Sequence, residues 1–273
     1  MNPASLFELG VYSSKWIKDF YDQAGIWWGA DPQAPSVHKT RVETVERLCG
    51  SGPRTILDLG TGPGATAAAL ADAGHHVTAM EFSPARAEYA RQLAKIARKG
   101  SLVILEDDFY ASDLKEQFDV VCCWETFGLG TDADQRRLLK RIADEWLKPG
   151  GRVLMDVYSP FRPARDAGTE RRLPPLAGVP SSVEMINRCH FDPFHSRWID
   201  EWIPVNEPQN ALAQTIRCYS PSDFLLLLEG THLRMEHIEV EGQTLQVEGK
   251  KVTLSNLLMD TWCYLVELIA CNT

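Results

Sequence analysis

From Arg54 onward, short apolar runs alternate with stretches whose apolar residues recur every three or four positions. That alternation predicts a parallel sheet built from βαβ units. Strands are expected at Thr55–Leu59, His76–Glu81, 102–106, 118–124 and 152–158. Between them lie a helix over Ala65–Ala73 closed by Gly74, one that starts at Ser83-Pro84 and reaches Gly100, and one that runs from Asp132 to Leu147. Ser83 and Asp132 are capping residues, Pro84 suits a first helical turn, and Gly74 suits a helix end. Pro149-Gly150-Gly151 then turns the chain into the fifth strand.

The pattern differs on either side of this core. Residues 1–50 carry two helical stretches, 5–21 and Pro35–Cys49, around a Trp-rich turn, Gly25-Ile26-Trp27-Trp28-Gly29. They read as a helical cap. In residues 159–217 prolines accumulate, and Arg197-Trp198-Ile199-Asp200-Glu201-Trp202 alternates as a half-exposed antiparallel strand does. This segment reads as an antiparallel insertion after the fifth strand. Ser220 and Asp223 form a capping box for the apolar helix 224–229, and strands at 237–240 and 262–269 complete the sheet. The expected architecture is one α/β domain: a Rossmann-like, seven-stranded, mostly parallel sheet. Its parts are a cap (1–50), a core (51–158), an insertion or lid (159–217) and a C-terminal part of the sheet (218–273).

Composition narrows the function. The chain has 273 residues, 44% hydrophobic and 24% charged, as a folded domain does. Its net charge of −9 opposes sequence-independent attraction to phosphate backbones, so nucleic acid is not expected as a partner. The seven cysteines lack C-x-x-C pairing, and Cys122 and Cys123 sit inside an apolar run, so buried thiols are expected and no metal site. No stretch reads as a secretory leader or a membrane span; a cytoplasmic protein with no membrane partner is the expectation.

Candidate chemistry begins at Asp58-Leu59-Gly60-Thr61-Gly62-Pro63-Gly64, between a strand and a helix. Glycines there let the backbone pass beneath a ligand, and the helix start offers unpaired N–H groups. Gly60, Gly62 and Ala65 also fit the dinucleotide pattern G-x-G-x-x-A, so the loop alone leaves NAD or FAD open. Asp58 argues for a cationic ligand, because a carboxylate two residues before the first glycine repels a pyrophosphate and attracts an ammonium or sulfonium. Glu81, ending the second strand, is suited to accept from both ribose hydroxyls of either cofactor. Asp108 beside Phe109 offers an acceptor for an exocyclic amine and an aromatic face, with Phe82 available for the opposite face.

These blocks, together with Phe118-Asp119-Val120-Val121 and 147–154, resemble the class I S-adenosylmethionine-dependent methyltransferases, small-molecule acceptor type, over residues 54–158. The resemblance implies that Gly60, Thr61, Gly62 and Gly64 touch the methionine moiety of S-adenosylmethionine, Glu81 the ribose, and Asp108 and Phe109 the adenine. It implies that the strand end Cys123, Trp124 and Glu125 meets the methionyl amine. Tyr21 looks like the N-terminal aromatic that many members place near the cofactor carboxylate. After the fourth strand the chain reads Trp124-Glu125-Thr126-Phe127-Gly128, unlike the Asn-Pro-Pro-Tyr motif of amino-methylating nucleic-acid enzymes. With only Glu125 there, it also departs from the acidic hairpin of protein arginine methyltransferases.

The expected reaction is methyl transfer from S-adenosylmethionine to a small molecule through an oxygen, nitrogen or carbon atom. Two alternatives stay open: cyclisation or elimination of the cofactor itself, and a non-catalytic cofactor-binding partner protein. Glu125 and His195 are the candidate catalytic residues, to orient or deprotonate the acceptor. Trp27, Trp28, Trp198 and Trp202 are candidates for its pocket wall or for core, and His38 and His190 draw interest because they fall in the cap and the insertion.

Overall fold

A computed structural model describes residues 15–29, 33–245 and 256–271. The cap is α1 (Lys15–Trp28) and α2 (Pro35–Cys49). The core follows as β1 (Thr55–Leu59), α3 (Ala65–Ala73), β2 (His76–Glu81), α4 (Pro84–Ala94), β3 (Ser101–Glu106), β4 (Phe118–Cys123), α5 (Asp132–Arg141) and β5 (Leu147–Tyr158). A wider π turn, Ile142–Trp146, separates α5 from β5. The insertion contains α6 (Phe161–Asp166) and β6 (Glu170–Leu173), β7 (Met185–Asp192), β8 (Arg197–Pro204) and β9 (Leu212–Arg217). The chain then forms α7 (Pro221–Leu228), β10 (Leu233–Val240), β11 (Gln243–Leu245), α8 (Leu257–Asp260) and β12 (Cys263–Ala270).

The main sheet runs β11-β10-β12-β5-β4-β1-β2-β3. Its five core strands are parallel, while β12 and β10 run antiparallel to their neighbours. The seven expected strands are all present, and the three-residue β11 adds an eighth at the edge. The order reverses at β1, with β2 on one side and β4 on the other. A crevice therefore opens at the carboxyl ends of these strands, where ligands bind in doubly wound sheets. The insertion folds as a separate four-stranded antiparallel sheet, β6-β7-β8-β9. Among the described residues no helix is long and apolar enough to cross a membrane.

The cap departs from the expected pattern. Its first helix continues through Gly25 to Trp28, so Trp27 and Trp28 form a last helical turn and no separate Trp-rich turn exists. The reason is a stripe at helical spacing: Ile17, Phe20, Ala24 and Trp27 are all buried, and burying them outweighs the modest cost of Gly25 in a helix interior. Gly29, at φ +79°, ends the helix. The start expected near residue 5 lies outside the described residues. Helix α4 stops at Ala94, short of Gly100.

Candidate functional site

The strand-to-helix loop after β1 is built around a buried carboxylate. Asp58 is 1% exposed; its Oδ2 accepts from the Thr61 hydroxyl at 2.6 Å, and its Oδ1 has no hydrogen-bond partner among the described residues. Burial pushes this carboxyl up to about 6, against the pull of the Thr61 hydroxyl and Arg41. Gly60 and Gly62 take φ of +66° and +60°, which side chains rarely adopt. A Cβ at Gly60 would also run into Thr126, and one at Gly62 would stand 3.3 Å from the Arg86 guanidinium.

The end of β2 faces that loop. Glu81 Oε2 accepts the Gly62 backbone N–H at 2.7 Å, and Oε1 accepts that of Ser83 at 2.8 Å. Burial raises its pKa, opposed by these bonds and by Arg86. The Ser83 hydroxyl donates to Asp22 of α1, which ties the cap to this strand end. Farther along the crevice, Asp108 Oδ1 accepts the Tyr110 N–H at 2.9 Å, and burial raises its pKa as well. Phe82 and Phe109 stand beside these two acids on the cavity wall.

At the other end, the turn after β4 presents Glu125 at φ +52°, a left-handed conformation that costs energy for a residue with a side chain. Its Oε2 accepts from Gln33 and, at 2.7 Å, from Arg41 of α2. Its backbone N–H donates to Asp156 Oδ2 at 3.2 Å, and Asp156 lies 3.8 Å from the same guanidinium. Burial drives the Asp156 carboxyl up to about 7, with Arg41 pulling down and Glu125 pushing up. Arg41 also covers the Trp124 ring, 5.3 Å from its centroid, while the buried Trp124 Nε1 has no partner among the described residues.

Cap and insertion close the cavity between them. Tyr21 of α1 donates its hydroxyl proton to Gln214 Oε1 of β9 at 3.0 Å, and the Arg86 guanidinium sits 4.9 Å from the Tyr21 ring centre. Trp28 packs edge-on against Trp202 of β8 at 4.8 Å, and the Tyr158 hydroxyl donates to the Glu125 carbonyl at 3.3 Å.

One cavity thus gathers Tyr21, Asp58, Gly60, Thr61, Gly62 and Glu81 with Phe82, Asp108, Phe109, Trp124 and Glu125. Three expected site residues do not reach its wall. Gly64 turns toward α4, where an added Cβ would come within 2.8 Å of the Ala90 Cβ. Cys123 is fully buried in the core, because its neighbour Trp124 takes the outward position at the strand end. His195 lies in the β7–β8 hairpin, where its Nδ1 is 2.5 Å from Asp192 Oδ2 and its side chain is 53% exposed. Trp27 is buried core, whereas Trp28 lines the cavity.

Several wall residues carried no sequence signal that singled them out: Gln33, Arg41, Arg86, Tyr158 and Gln214. His38 lines the wall too, its Nδ1 2.9 Å from the Thr66 hydroxyl. The three-residue step from His38 to Arg41 put both on one helix face, which was the available clue.

Residues 56–151 match a family model described as a methyltransferase domain. A mitochondrial ubiquinone biosynthesis O-methyltransferase of Schizosaccharomyces pombe is 31% identical over 153 residues, covering 52% of this chain and 54% of that protein. The chain therefore spans about half the length of this curated relative. Among solved structures, the CcbJ methyltransferase of Streptomyces caelestis superposes with a TM-score of 0.70 at 20% identity, covering 94% of this chain and 96% of that one. CalS10, an amino pentose methyltransferase of Micromonospora echinaspora solved with S-adenosylmethionine bound, gives 0.62 at 16% identity, covering 91% and 96%. The fold is theirs over most of the chain, and residues 56–151 are similar to a methyltransferase domain.

Proposed function

We propose that this chain binds S-adenosylmethionine in the cavity at the carboxyl ends of β1, β2 and β4 and transfers its methyl group to a small molecule. The observation that carries the reading is Asp58: a carboxylate 1% exposed, with one oxygen unpartnered among the described residues, on the wall of a cavity that Gly60 and Gly62 line at positive φ. Such a group is costly to bury unless a cation joins it. Glu81 retains lone pairs for ribose hydroxyls beside its two backbone bonds, and Asp108, on a wall that also carries Phe82 and Phe109, suits an aminopurine. The residues present therefore fit S-adenosylmethionine.

Bound there, S-adenosylmethionine supplies an electrophilic methyl carbon on a sulfonium. The chain's part is to hold, align and dry the reacting groups, since in-line displacement gains most from orientation and exclusion of water. Core residues hold the cofactor; the cap helices and, through Gln214, the insertion complete the wall that chooses the acceptor. Trp28 and Tyr158 provide apolar surface, and Glu125, held by Arg41 and Gln33, is the polar group that orients the acceptor or takes its proton. The family-model match, residues 56–151, lies within the core, so the acceptor rests on these walls.

Calorimetric titration tests the reading. S-Adenosylmethionine should bind in the micromolar range, about 8 kcal/mol at Kd near 1 μM, while NAD should not bind. Binding of NAD without S-adenosylmethionine would overturn it.

A further inference from the structure

Behind the cavity wall, the lid carries a chain of hydrogen bonds whose directions are all fixed. Arg171 has only donors, so the Asn187 side-chain oxygen accepts from it at 3.0 Å and the Asn187 amide nitrogen must point the other way. That nitrogen donates to Asp200 Oδ1 at 2.7 Å and to the Glu201 carbonyl at 3.2 Å. The Trp202 indole, also only a donor, gives its proton to Asp200 Oδ2 at 2.6 Å. Asp200, 4% exposed, is thereby held as an acceptor, and it takes a third bond from Gln214 Nε2 at 2.9 Å. With its nitrogen committed, Gln214 can present only Oε1 to Tyr21, whose single hydroxyl proton goes to it.

We propose that Asp200 and Gln214 are positioning residues that turn the Tyr21 proton out of the cavity, so that the Tyr21 hydroxyl offers the cavity its lone pairs alone and the site takes the acceptor through a protonated amine. The inference rests on the methyltransferase reading and names the substrate class of that site. Tyr158 acts in the same sense, its proton committed to the Glu125 carbonyl, and the Glu125 carboxylate can only accept. Charge points the same way. The cavity wall carries four carboxylates, Asp58, Glu81, Asp108 and Glu125, against the guanidiniums of Arg41 and Arg86. The single net positive charge of S-adenosylmethionine offsets only part of that excess, so a cationic acceptor is favoured over a neutral or anionic one. Arg41 does not reverse this, because its hydrogen bonds run to Gln33, Thr66 and Glu125. A hydroxyl pocket would need no such excess, and a carboxylate would find no free proton on either tyrosine.

The test uses three probes of one skeleton: cyclohexylamine, cyclohexanol and cyclohexanecarboxylate. Each is titrated by ligand-observed NMR against the whole chain saturated with S-adenosylhomocysteine, whose own Kd is measured calorimetrically for every variant. The amine should bind at least about tenfold more tightly than the alcohol, with no binding of the carboxylate. Gln214→Met keeps the side-chain volume but removes the oxygen that takes the Tyr21 proton. It should lower the amine-to-alcohol ratio by at least about threefold, the part set by the carboxylates remaining, with S-adenosylhomocysteine affinity changed by less than about threefold. Asp200→Asn, which frees Gln214 to turn over, should lower the ratio in the same direction. Bound S-adenosylhomocysteine with no preference for the amine, or a preference left intact in a folded Gln214→Met chain, overturns the inference alone. Failure of the wild-type chain to bind S-adenosylhomocysteine overturns the methyltransferase reading and takes this inference with it.

Discussion

Gly62 gives its backbone N–H to Glu81 Oε2 at 2.7 Å, joining the two sides of the crevice through the carboxylate proposed to hold the ribose. Glu81 therefore has two tasks, since its other oxygen holds Ser83. Glu81→Gln replaces one acceptor by an NH2 group facing a backbone donor. Cofactor affinity should fall at least about tenfold, and the chain should lose about 1–3 kcal/mol of stability. Calorimetry paired with urea unfolding checks both; an intact Kd would remove Glu81 from the cofactor site.

Asp58→Asn should separate stability from binding. The folded chain holds the Asp58 proton up to about pH 6, above the usual carboxylate value, so burial of the charge destabilises the unliganded chain by roughly 2–3 kcal/mol near neutral pH. The asparagine retains an acceptor for Thr61. Without ligand, the variant should unfold at a higher urea concentration than the wild type at pH 7.5, yet bind S-adenosylmethionine more weakly.

The pH dependence follows with a definite sign. Because the folded pKa of Asp58 lies above its unfolded value of 3.8, this group favours folding below about pH 4, and that contribution is lost as pH rises through about 6. Cofactor affinity moves oppositely, rising toward pH 6 as the carboxylate forms and levelling above it. Titrations from pH 5 to pH 8, roughly spanning that change, should show this rise in the wild type and a flatter curve in Asp58→Asn.

Much of the cavity wall proposed to hold the cofactor was legible because its residues are fixed by local rules. A glycine loop between a strand and a helix, and acids at or within two residues of three strand ends, lie within one continuous stretch from 58 to 109. The other half depends on packing between distant segments. Nothing near Gln214 indicates that β9 lies against α1, or near Asp156 that it shares Arg41 with Glu125. His195 attracted notice as a histidine in the insertion, but three residues after Asp192 it closes a hairpin turn and bonds locally. Cys123 lost its expected place through strand alternation, which sends adjacent residues to opposite faces.

The contrast between His195 and Trp28 can be measured once a methylated acceptor is in hand. His195→Ala should leave turnover and cofactor affinity within about twofold, the change expected of an exposed side chain away from the cavity. Trp28→Ala opens the wall and should lower kcat/KM for the acceptor by at least about tenfold. Full activity in the Trp28 variant would move acceptor recognition elsewhere.

Gly64→Ala probes a residue set aside from the cavity. Its φ of +86° and the closeness of Ala90 mean that a methyl group must displace α4, at about 1–3 kcal/mol. Thermal unfolding should register the loss, with S-adenosylmethionine affinity changed by less than about threefold. A large loss of affinity without loss of stability would return Gly64 to the list of ligand contacts.

Helix α1 is clasped by the lid at three points: Tyr21 against Gln214, Ile26 through its carbonyl to Ser181, and Trp28 against Trp202. These contacts join residues 155 to 193 positions apart along the chain, yet neither segment is packed without the other. For anyone redesigning the proposed acceptor pocket, they are one part in two pieces. A graft of the lid from another scaffold has to bring its matching first helix along, or it will arrive with its contacts facing the wrong neighbour.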